Sequence, residues 1–366
     1  MKILLIGPLP PLRGGISDFN KELLKNLIRT SDVHALSFKY LYPKYIFPGK
    51  RQFKNVVDDN LKIKKINPYN PISYLIALNY IIDLKPDKII STHWNPLFSL
   101  SYSIINFFSS KKIEKIGLMH NLKSHEDGLL DSFFLNLYFG SLDKVICLSD
   151  FTHKKIGNFF NCKSVSLFHP IPKLNQLCID RDKALTKKKF DPKKKYLLHF
   201  GLVRKYKGLD ILLTAFKKVI KKNKTIHLIV AGEFYENIKK YENLIGDLKL
   251  QNHVTIENEF IPEKDIYKWF SMADYIIQTN RRATQSGITA LSIFFEKIMI
   301  STASGGIKET LNEKNSFICE KDPKSIALKI LEAFETKNDK KILEIKKLKN
   351  KLSWDKFSND LLNFIK

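Results

Sequence analysis

Short apolar runs alternate with amphipathic stretches along most of the chain. In the first half, strands are predicted at residues 2–6, 33–38, 88–92, 115–119 and 144–148, with helices between them, for example at 73–84 and 97–108. A second series predicts strands at 196–200, 226–232, 254–257, 275–278 and 298–301, again separated by helices, and a helical end from 323 to 366. This alternation is typical of parallel sheets covered by helices. The sequence therefore predicts an α/β protein with two such domains.

The segment between the two series has no regular period. It runs from Phe168 to Lys195 and carries seven lysines between Lys183 and Lys195. We expect a solvated linker here. The length of 366 residues fits two domains, and no apolar run approaches the roughly 18–20 residues of a membrane span.

Composition adds a strong positive charge. The 62 basic and 37 acidic side chains give a formal net charge of +25, which favours an anionic partner. We do not expect nucleic acid, because no recognisable nucleic-acid-binding module is visible. The four cysteines form no CxxC pair and indicate reduced thiols in a cytosolic protein, without a zinc site or a signal peptide.

Candidate chemistry in the first half lies in the loops after strands, where open parallel sheets bind ligands. Gly14 and Gly15 precede a helix and allow close backbone approach, although no GxGxxG motif is present. Polar side chains also follow the later strands, namely His93, His120, His125 and Glu126. His120 directly follows a buried strand and is predicted to bind a sugar hydroxyl or share a proton, the alternative being a structural histidine bonded to a carbonyl group.

The loops of the second half are richer in cations. Arg204 and Lys207 lie between the strand ending at Phe200 and a helix opened by Gly208, a position suited to phosphate. Other candidates for ligand contact are Gly201, Glu233, Arg281, Gln285, Ser286, Gly287 and Ile288. The last three open a helix whose free amides could hold a diphosphate, with an arginine beside them.

These loops, taken in order, resemble the retaining glycosyltransferase family 4. The matching motifs are Gly14-Gly15, His120-Asn121, the loop from Phe200 to Gly208, Ala231-Gly232, Ala273-Asp274 and Gly305-Gly306. The motifs His120-Asn-x-x-x-His125-Glu126, Lys207-Gly-Leu-Asp210 and Ala283-Thr-Gln-Ser-Gly287 are similar to a bacterial subgroup that builds surface polysaccharides. The resemblance implies the GT-B architecture, two Rossmann-like domains facing across a cleft. It gives an acceptor domain at 1–172, a nucleotide-sugar domain at 173–350, and a C-terminal helix at 351–366 that returns to the first domain.

The resemblance also implies residue roles. Lys207 and a nearby arginine would bind the donor phosphates, and amides near Ser286–Ile288 would bind the diphosphate. Gly14 and Gly15 would face the donor, and His120 would contact the transferred sugar. The nucleotide base would lie near Phe260-Ile261-Pro262.

Two departures from the family pattern are visible. Most members carry two glutamates, with seven residues between them, in the donor loop, but the corresponding positions here are Ala283 and Leu291. Leu202 stands where the family more often has arginine, so Arg204 must take that role. The phosphate-binding cations remain, whereas the acidic contacts to sugar and ribose are missing.

We therefore expect a glycosyltransferase that transfers a sugar, with retention, from a nucleoside-diphosphate sugar to a glycan or lipid-linked acceptor in bacterial surface polysaccharide synthesis. His120, Arg204 and Lys207 are the catalytic candidates. The donor-binding candidates are Gly14, Gly15, Gly201, Glu233, Ile261, Arg281, Gln285, Ser286, Gly287 and Ile288, and the acceptor-side candidates are His93, His125 and Glu126. No metal or cofactor is expected, because no Asp-x-Asp motif appears in a donor loop.

The partners and the alternatives follow from the same features. Residues 1–175 carry 24 basic and 13 acidic side chains, a net charge of +11 that suits a lipid-diphosphate acceptor on an anionic inner leaflet. We expect a cytoplasmic protein with peripheral association at the inner face of the membrane. The alternatives are a catalytically degenerate protein that binds nucleotide sugar or a partner transferase, a GT-B sugar-nucleotide epimerase, and a nucleic-acid binder.

Overall fold

The chain folds into two compact units. The structure is a computed structural model that describes residues 1–43, 47, 51–54, 63–122, 130–157, 160, 163–283, 285–302 and 304–366. The first unit comprises Met1–Pro170 and Ser353–Lys366, and the second comprises Ile171–Leu352. Each unit contains a parallel sheet with helices packed on it. The predicted pair of α/β domains and the return of the C-terminal helix to the first one are confirmed.

The elements are numbered in chain order. The strands are β1 (Lys2–Ile6), β2 (Asp32–Phe38), β3 (Ile63–Ile66), β4 (Lys88–His93), β5 (Glu114–Met119), β6 (Lys144–Cys147), β7 (Lys163–Ser166), β8 (Lys195–Phe200), β9 (Ile226–Ala231), β10 (Val254–Glu257), β11 (Tyr275–Gln278), β12 (Met299–Thr302) and β13 (Ser316–Cys319). The helices are α1 (Gly15–Leu27), α2 (Pro71–Leu84), α3 (Ser99–Phe108), α4 (Asp131–Phe139), α5 (Asp150–Ile156), α6 (Arg181–Lys188), α7 (Leu209–Lys222), α8 (Lys239–Asp247), α9 (Glu263–Met272), α10 (Gly287–Phe294), α11 (Ile307–Thr310), α12 (Pro323–Glu335), α13 (Asp339–Lys351) and α14 (Trp354–Ile365).

Both sheets follow the same doubly wound strand order. The first sheet runs β3-β2-β1-β4-β5-β6-β7 and the second runs β10-β9-β8-β11-β12-β13. All neighbouring strands are parallel, so their carboxyl ends lie on one edge of each sheet. The chain reverses direction across the sheet between β1 and β4, and again between β8 and β11. Crevices at such reversal points are the usual ligand sites of this class of fold.

Two apolar clusters cover the two faces of the first sheet. Helices α2, α3 and α4 contribute to one cluster, through residues such as Ile81, Tyr102 and Tyr138. Helix α1 and the C-terminal helix α14 contribute to the other, in which Phe357 is fully buried beside Phe19. Helix α14 therefore completes the core of the first unit although the whole second unit precedes it in sequence.

Several elements differ from the sequence-based prediction. Strands β3, β7 and β13 are additional to the predicted strands, and each is only four residues long and lies at a sheet edge. The predicted linker is wrong in part, because it contains helix α6. Asp180 caps this helix by accepting hydrogen bonds from the amides of Asp182 and Lys183, both at 3.1 Å, and Leu185 is buried in the core of the second unit.

Replacement of Phe357 by alanine tests the contribution of α14. Because this side chain is fully buried in an aromatic cluster, we expect Phe357→Ala to lower the free energy of unfolding by about 3–5 kcal/mol. Asn359→Ala changes an exposed residue on the same helix and should alter stability by less than about 0.5 kcal/mol. Urea unfolding followed by circular dichroism measures both, and equal effects of the two variants would contradict the packing role.

Candidate donor site at the carboxyl edge of the second sheet

Two loops meet where the second sheet reverses its strand order. The loop at residues 201–208 follows β8, and the loop that starts at Thr279 follows β11. The hydroxyl of Thr279 donates to the carbonyl oxygens of Lys207 at 3.1 Å and Gly208 at 3.0 Å. The amide of Arg281 donates to the carbonyl oxygen of Tyr206 at 2.7 Å. These bonds fix the first loop, and with it the cationic side chains that it carries.

Glycines allow this close approach. Gly208 has a φ of 67°, and a Cβ atom there would collide with the carbonyl oxygen of Thr279. Gly232, which follows β9, has a φ of 151°, and a Cβ atom there would collide with the carbonyl oxygen of Gly201. Both positions combine a positive φ with backbone contact, so only glycine fits without a shift of the loops.

Lys207 is a cation without a counter-ion in the described part of the chain. Its Nζ lies 3.3 Å from the position that a Cβ atom of Gly201 would take, and the side chain of Ile288 borders the same position. Burial, and then the charge of Arg204, lowers the pKa of Lys207 to about 8. Both causes disfavour the ammonium form, and an anion bound here would oppose them.

Arg204 adds a second positive charge to the same loop. Its guanidinium lies over the ring of Tyr235, 4.9 Å from the ring centroid, and forms no ion pair with any described residue. The positive charge also affects His199 at the end of β8, whose pKa is lowered to about 3 by burial and then by the charge of Lys207. The sequence-predicted pair, Arg204 and Lys207, is thus brought together as an uncompensated cationic site.

Arg281 has a different position from the predicted phosphate contact. Its guanidinium donates to both carboxylate oxygens of Asp210, at 2.8 and 2.7 Å, and to the carbonyl oxygen of Lys205 at 2.9 Å. Burial would raise the pKa of Asp210, but the hydrogen bonds and charge of Arg281 outweigh it and hold that pKa below its ordinary value. Arg281 therefore fastens the two loops together. The sequence predicts no role for Asp210, because an acidic residue in the first turn of a helix is common.

The start of α10 supplies backbone amides near the cationic loop. Ser286 caps this helix, and its hydroxyl accepts a hydrogen bond from the side-chain amide of Gln278 at 2.6 Å. The hydroxyl also lies 3.4 Å from the amide of Thr289, in a weak cap bond. A Cβ atom on Gly287 would meet no atom within 4 Å, so the space beside the first turn is open. The side chain of Ile288 and the Nζ of Lys207 both lie beside Gly201, so the start of α10 is close to the cationic loop.

The two positions that lack the family's glutamates belong to the core of the second unit. Ala283 is buried in the cluster that contains Phe200 and Phe295, and Leu291 packs against it. Ile261, the residue expected beside the base, also packs against this cluster. Apolar packing thus takes the place of the acidic pair.

Glu233 ends up deeper than a surface ligand contact would be. It lies two residues after the end of β9 and is only 1% exposed. Its carbonyl oxygen accepts the amide hydrogen of Val203 at 2.9 Å, so it joins the loop after β8 to the loop after β9.

In the first unit, His120 lies at the carboxyl end of β5. It is 3% exposed, and the ring of Phe19 meets it edge to face at a centroid distance of 4.5 Å. Burial, and then the charges of His169 and His93, holds its pKa well below the usual range, so the ring is neutral. Its buried Nε2 has no hydrogen-bond partner within the described ranges. An unsatisfied buried nitrogen is costly, and a ligand hydroxyl would satisfy it.

His93 does not have the predicted acceptor-side position. It is completely buried, with Nδ1 3.0 Å from the carbonyl oxygen of Asn121 and Nε2 2.8 Å from the hydroxyl of Ser99. Its ring also stacks on Tyr138. Because both nitrogens already have partners, His93 anchors the segment after His120 and leaves no atom for an acceptor. This role corresponds to the structural alternative for a histidine after a strand.

The glycine loop of the first unit has open backbone. Gly14 has a φ of 127°, and a Cβ atom on either Gly14 or Gly15 would meet nothing within 4 Å. His125 and Glu126 lie outside the described residues. The described ranges contain no cluster of three or more potential metal ligands. Their helices are also all too short or too polar to cross a membrane.

Comparison with known proteins agrees with this architecture. Residues 180–349 match the model of the family described as Glycosyl transferases group 1. Sucrose-phosphate synthase from Thermosynechococcus elongatus superposes with a TM-score of 0.79 at 11% identity, covering 100% of this chain and 98% of that protein. A glycosyltransferase from Rickettsia africae gives 0.74 at 18% identity, with coverages of 99% and 97%.

A third similar structure was solved with a nucleotide. The Anabaena protein Alr3699/HepE, in complex with UDP and glucose, gives a TM-score of 0.78 at 14% identity and covers 100% of this chain and 99% of its own. No curated protein sequence matches the chain. The chain thus has the GT-B fold, and residues 180–349, which lie within its second unit, match the glycosyl transferases group 1 model. Together these findings support a glycosyltransferase.

The ion pair between Asp210 and Arg281 gives a pH-dependent prediction. Asp210→Asn should lower the free energy of unfolding at pH 7 by about 1 kcal/mol, a modest value because both side chains are about one-third exposed. The pKa of Asp210 is lowered on folding, so the stabilisation is present above its ordinary value near 4 and is lost as the pH falls through the folded value.

Urea unfolding at pH 7 and at acidic pH measures this effect. The matched control is Asp247→Asn, an exposed residue for which the structure shows no ion pair. A difference between Asp210→Asn and the parent protein that is equally large in acid would rule out the carboxylate as its source.

Proposed function

We propose that the protein is a retaining glycosyltransferase that uses a nucleoside-diphosphate sugar as donor. The carrying observation is the uncompensated pair Arg204 and Lys207 at the strand-order reversal of the second sheet, beside the start of α10. A diphosphate is the ligand that two close cations and a helix N-terminus suit best. The complex of the similar Alr3699/HepE structure with UDP and glucose supports the same ligand class.

The proposed reaction is transfer of the donor's sugar to an acceptor hydroxyl with retention of anomeric configuration. The bond between the sugar and the diphosphate breaks as the bond to the acceptor oxygen forms, and the acceptor proton passes to the leaving phosphate. Arg204 and Lys207 stabilise the negative charge that develops on the leaving group, helped by the amides of Ser286 and Gly287. Preorganised groups of this kind contribute most to the rate because they need no rearrangement during the reaction.

His120 takes a binding role in this scheme. Its ring is neutral, and its unpaired Nε2 is suited to a hydrogen bond with a hydroxyl of the sugar. Phe19 and the surrounding core fix the ring direction. The nucleotide base is assigned to the neighbourhood of Ile261, where the apolar cluster of the second unit offers a surface for a ring.

The acceptor is assigned to the first unit. Residues 1–175 have the net charge of +11 noted above, which suits an acceptor that is itself a lipid-linked diphosphate at an anionic inner leaflet. Synthesis of a bacterial surface polysaccharide from the cytoplasmic side, with peripheral membrane association, is the role proposed with it.

A second candidate function is donor binding without transfer. It is favoured by the apolar packing of Ala283 and Leu291, where an acidic pair would otherwise hold the sugar and the ribose. Calorimetric binding of a nucleoside diphosphate with neither transfer nor donor hydrolysis would select this alternative.

The double variant Arg204→Ala/Lys207→Ala tests the proposed donor site. Because both cations act on the leaving group, we expect donor turnover to fall by at least about 10²–10³-fold while the fold is retained. Lys205→Ala, an exposed lysine of the same loop, is the matched control and should keep turnover within a factor of about two to three. Turnover by the double variant equal to that of the control would refute the site.

The lowered pKa of Lys207 predicts how donor affinity depends on pH. The ammonium form is present below about pH 8 and is lost above it, so the Kd for UDP should rise by about tenfold per pH unit above 8. Calorimetric titration between pH 7 and 10 measures the change. Lys207→Met should bind UDP more weakly without this dependence. If its alkaline slope matches that of the parent protein, another group is responsible.

A further inference from the structure

The outer side of the helical layer on one face of the first sheet is strongly apolar. Helix α2 buries Ala77 and Ile81 against the sheet, yet four of its other apolar side chains face solvent. These are Ile72, Leu75, Ile76 and Ile82, and Ile72 and Ile82 are 67% and 65% exposed. A helix that is apolar on both sides is typically covered by something on each side.

The neighbouring helices continue this surface. Leu100, Phe107 and Phe108 of α3 are exposed, Phe108 to 75%, and Phe133 of α4 is exposed as well. Among the described residues, nine of the eighteen large apolar side chains that are exposed lie between Tyr69 and Phe108. Monomeric proteins rarely leave so concentrated an apolar patch uncovered unless it binds a partner or a membrane.

The same three helices are almost without charge. Helices α2, α3 and α4 comprise 33 residues and contain two charged side chains, Asp83 and Asp131. At the 27% charged content of the whole chain, about nine would be expected. Helix α10 also lacks charge, but all of its residues except Gly287 are buried or half-buried, whereas α2, α3 and α4 expose their uncharged side chains.

Lysines border the apolar surface. Lys85 follows α2, and Lys111 and Lys112 follow α3; all three are exposed and form no ion pair with described residues. Lys85 and Lys112 line a cavity of about 400 Å³ together with Ile82 and Phe108, between the ends of the two helices. The cavity also has Leu78, Ile81 and Ile113 in its lining, and its charged side chains are two lysines and Asp87, a net positive charge beside an apolar floor.

A further lysine lies on the other border of α2. Lys64 on the edge strand β3 holds its Nζ 4.7 Å from the ring centroid of Tyr80, so its stem runs along the helix with the charge at the surface. An isologous contact between two copies would bring such lysine borders toward each other, and the three aspartates at this surface, Asp83, Asp87 and Asp131, are fewer than its four lysines, Lys64, Lys85, Lys111 and Lys112. An anionic lipid surface instead satisfies both the apolar centre and the positive border.

We propose that the outer face of α2, α3 and α4 seats the protein on an anionic lipid bilayer, with Ile82 and Phe108 inserted between the headgroups and Lys111 and Lys112 on the phosphates. The inference extends the membrane association in the proposed function. It depends on the first unit alone, so donor turnover with a soluble acceptor is an independent readout.

Co-sedimentation with vesicles tests the proposal without any donor present. The protein should bind vesicles that contain equal amounts of phosphatidylcholine and phosphatidylglycerol more tightly than vesicles of phosphatidylcholine. Ile82→Ser/Phe108→Ser should weaken binding to the anionic vesicles at least tenfold, because it removes two exposed apolar groups. Leu328→Ser/Leu343→Ser removes two side chains of similar exposure from the second unit and should leave vesicle binding unchanged.

Charge is tested in the same assay. Lys111→Gln/Lys112→Gln should reduce the preference for anionic vesicles by roughly fivefold for each lysine, whereas Lys221→Gln/Lys222→Gln, an exposed pair at the end of α7, should not. Equal losses in the paired variants, or no difference between the two vesicle compositions, would overturn the proposal. A dimer that Ile82→Ser/Phe108→Ser converts to a monomer, without vesicle binding, would assign the surface to a second copy instead.

Discussion

The second unit depends on holding a partly desolvated lysine ammonium, that of Lys207, with no counter-ion among the described residues. Desolvation opposes the charge on Lys207, and Arg204 opposes it further, so the loop that carries them would relax outward unless other contacts fixed it. The contacts are the two hydrogen bonds from Thr279 and the bidentate ion pair between Arg281 and Asp210. Arg281, which is paired with Asp210, thus stabilises the loop in which Arg204 and Lys207 form no ion pair with described residues. Such preorganisation is what an anionic ligand then uses.

Glycine is the second part of this arrangement. The carbonyl oxygens of Thr279 and Gly201 occupy the space that side chains at positions 208 and 232 would need. Three loops can therefore meet at one edge of the sheet, and the helix start at Ser286 comes close enough for Ile288 to border Gly201. The charges and the amides come close together because the backbone segments that carry them are in contact.

The sequence predicted the central strands because their apolar runs are continuous, as in β8 and β9. It did not predict β3, β7 and β13, because a four-residue edge strand such as Lys163–Ser166 carries polar residues and lacks any apolar period. Arg204 and Lys207 could be predicted from their place between a strand and a helix. The pairing of Arg281 with Asp210 could not, because the partners are 71 residues apart and only the strand order brings them together. For His93 the sequence predicted a contact that the structure does not favour. Its position at the end of a strand suggested a ligand contact, but both ring nitrogens already have hydrogen-bond partners in Ser99 and Asn121.

Each unit has one surface feature that its own residues leave without a partner: positive charge in the second unit and apolar area in the first. The second unit concentrates positive charge that its own acids do not neutralise, and it fills the positions of the missing acidic pair, Ala283 and Leu291, with apolar packing. The first unit leaves apolar area uncovered on α2 and α3 and keeps lysines only at its borders. Neither feature is required by the doubly wound sheet, since both sheets have the same strand order. Binding of an anion would lower the free energy of the unpaired cations, and binding of an amphiphile would lower that of the exposed apolar surface. A diphosphate is the kind of anion that suits the first feature, and an anionic amphiphile suits the second.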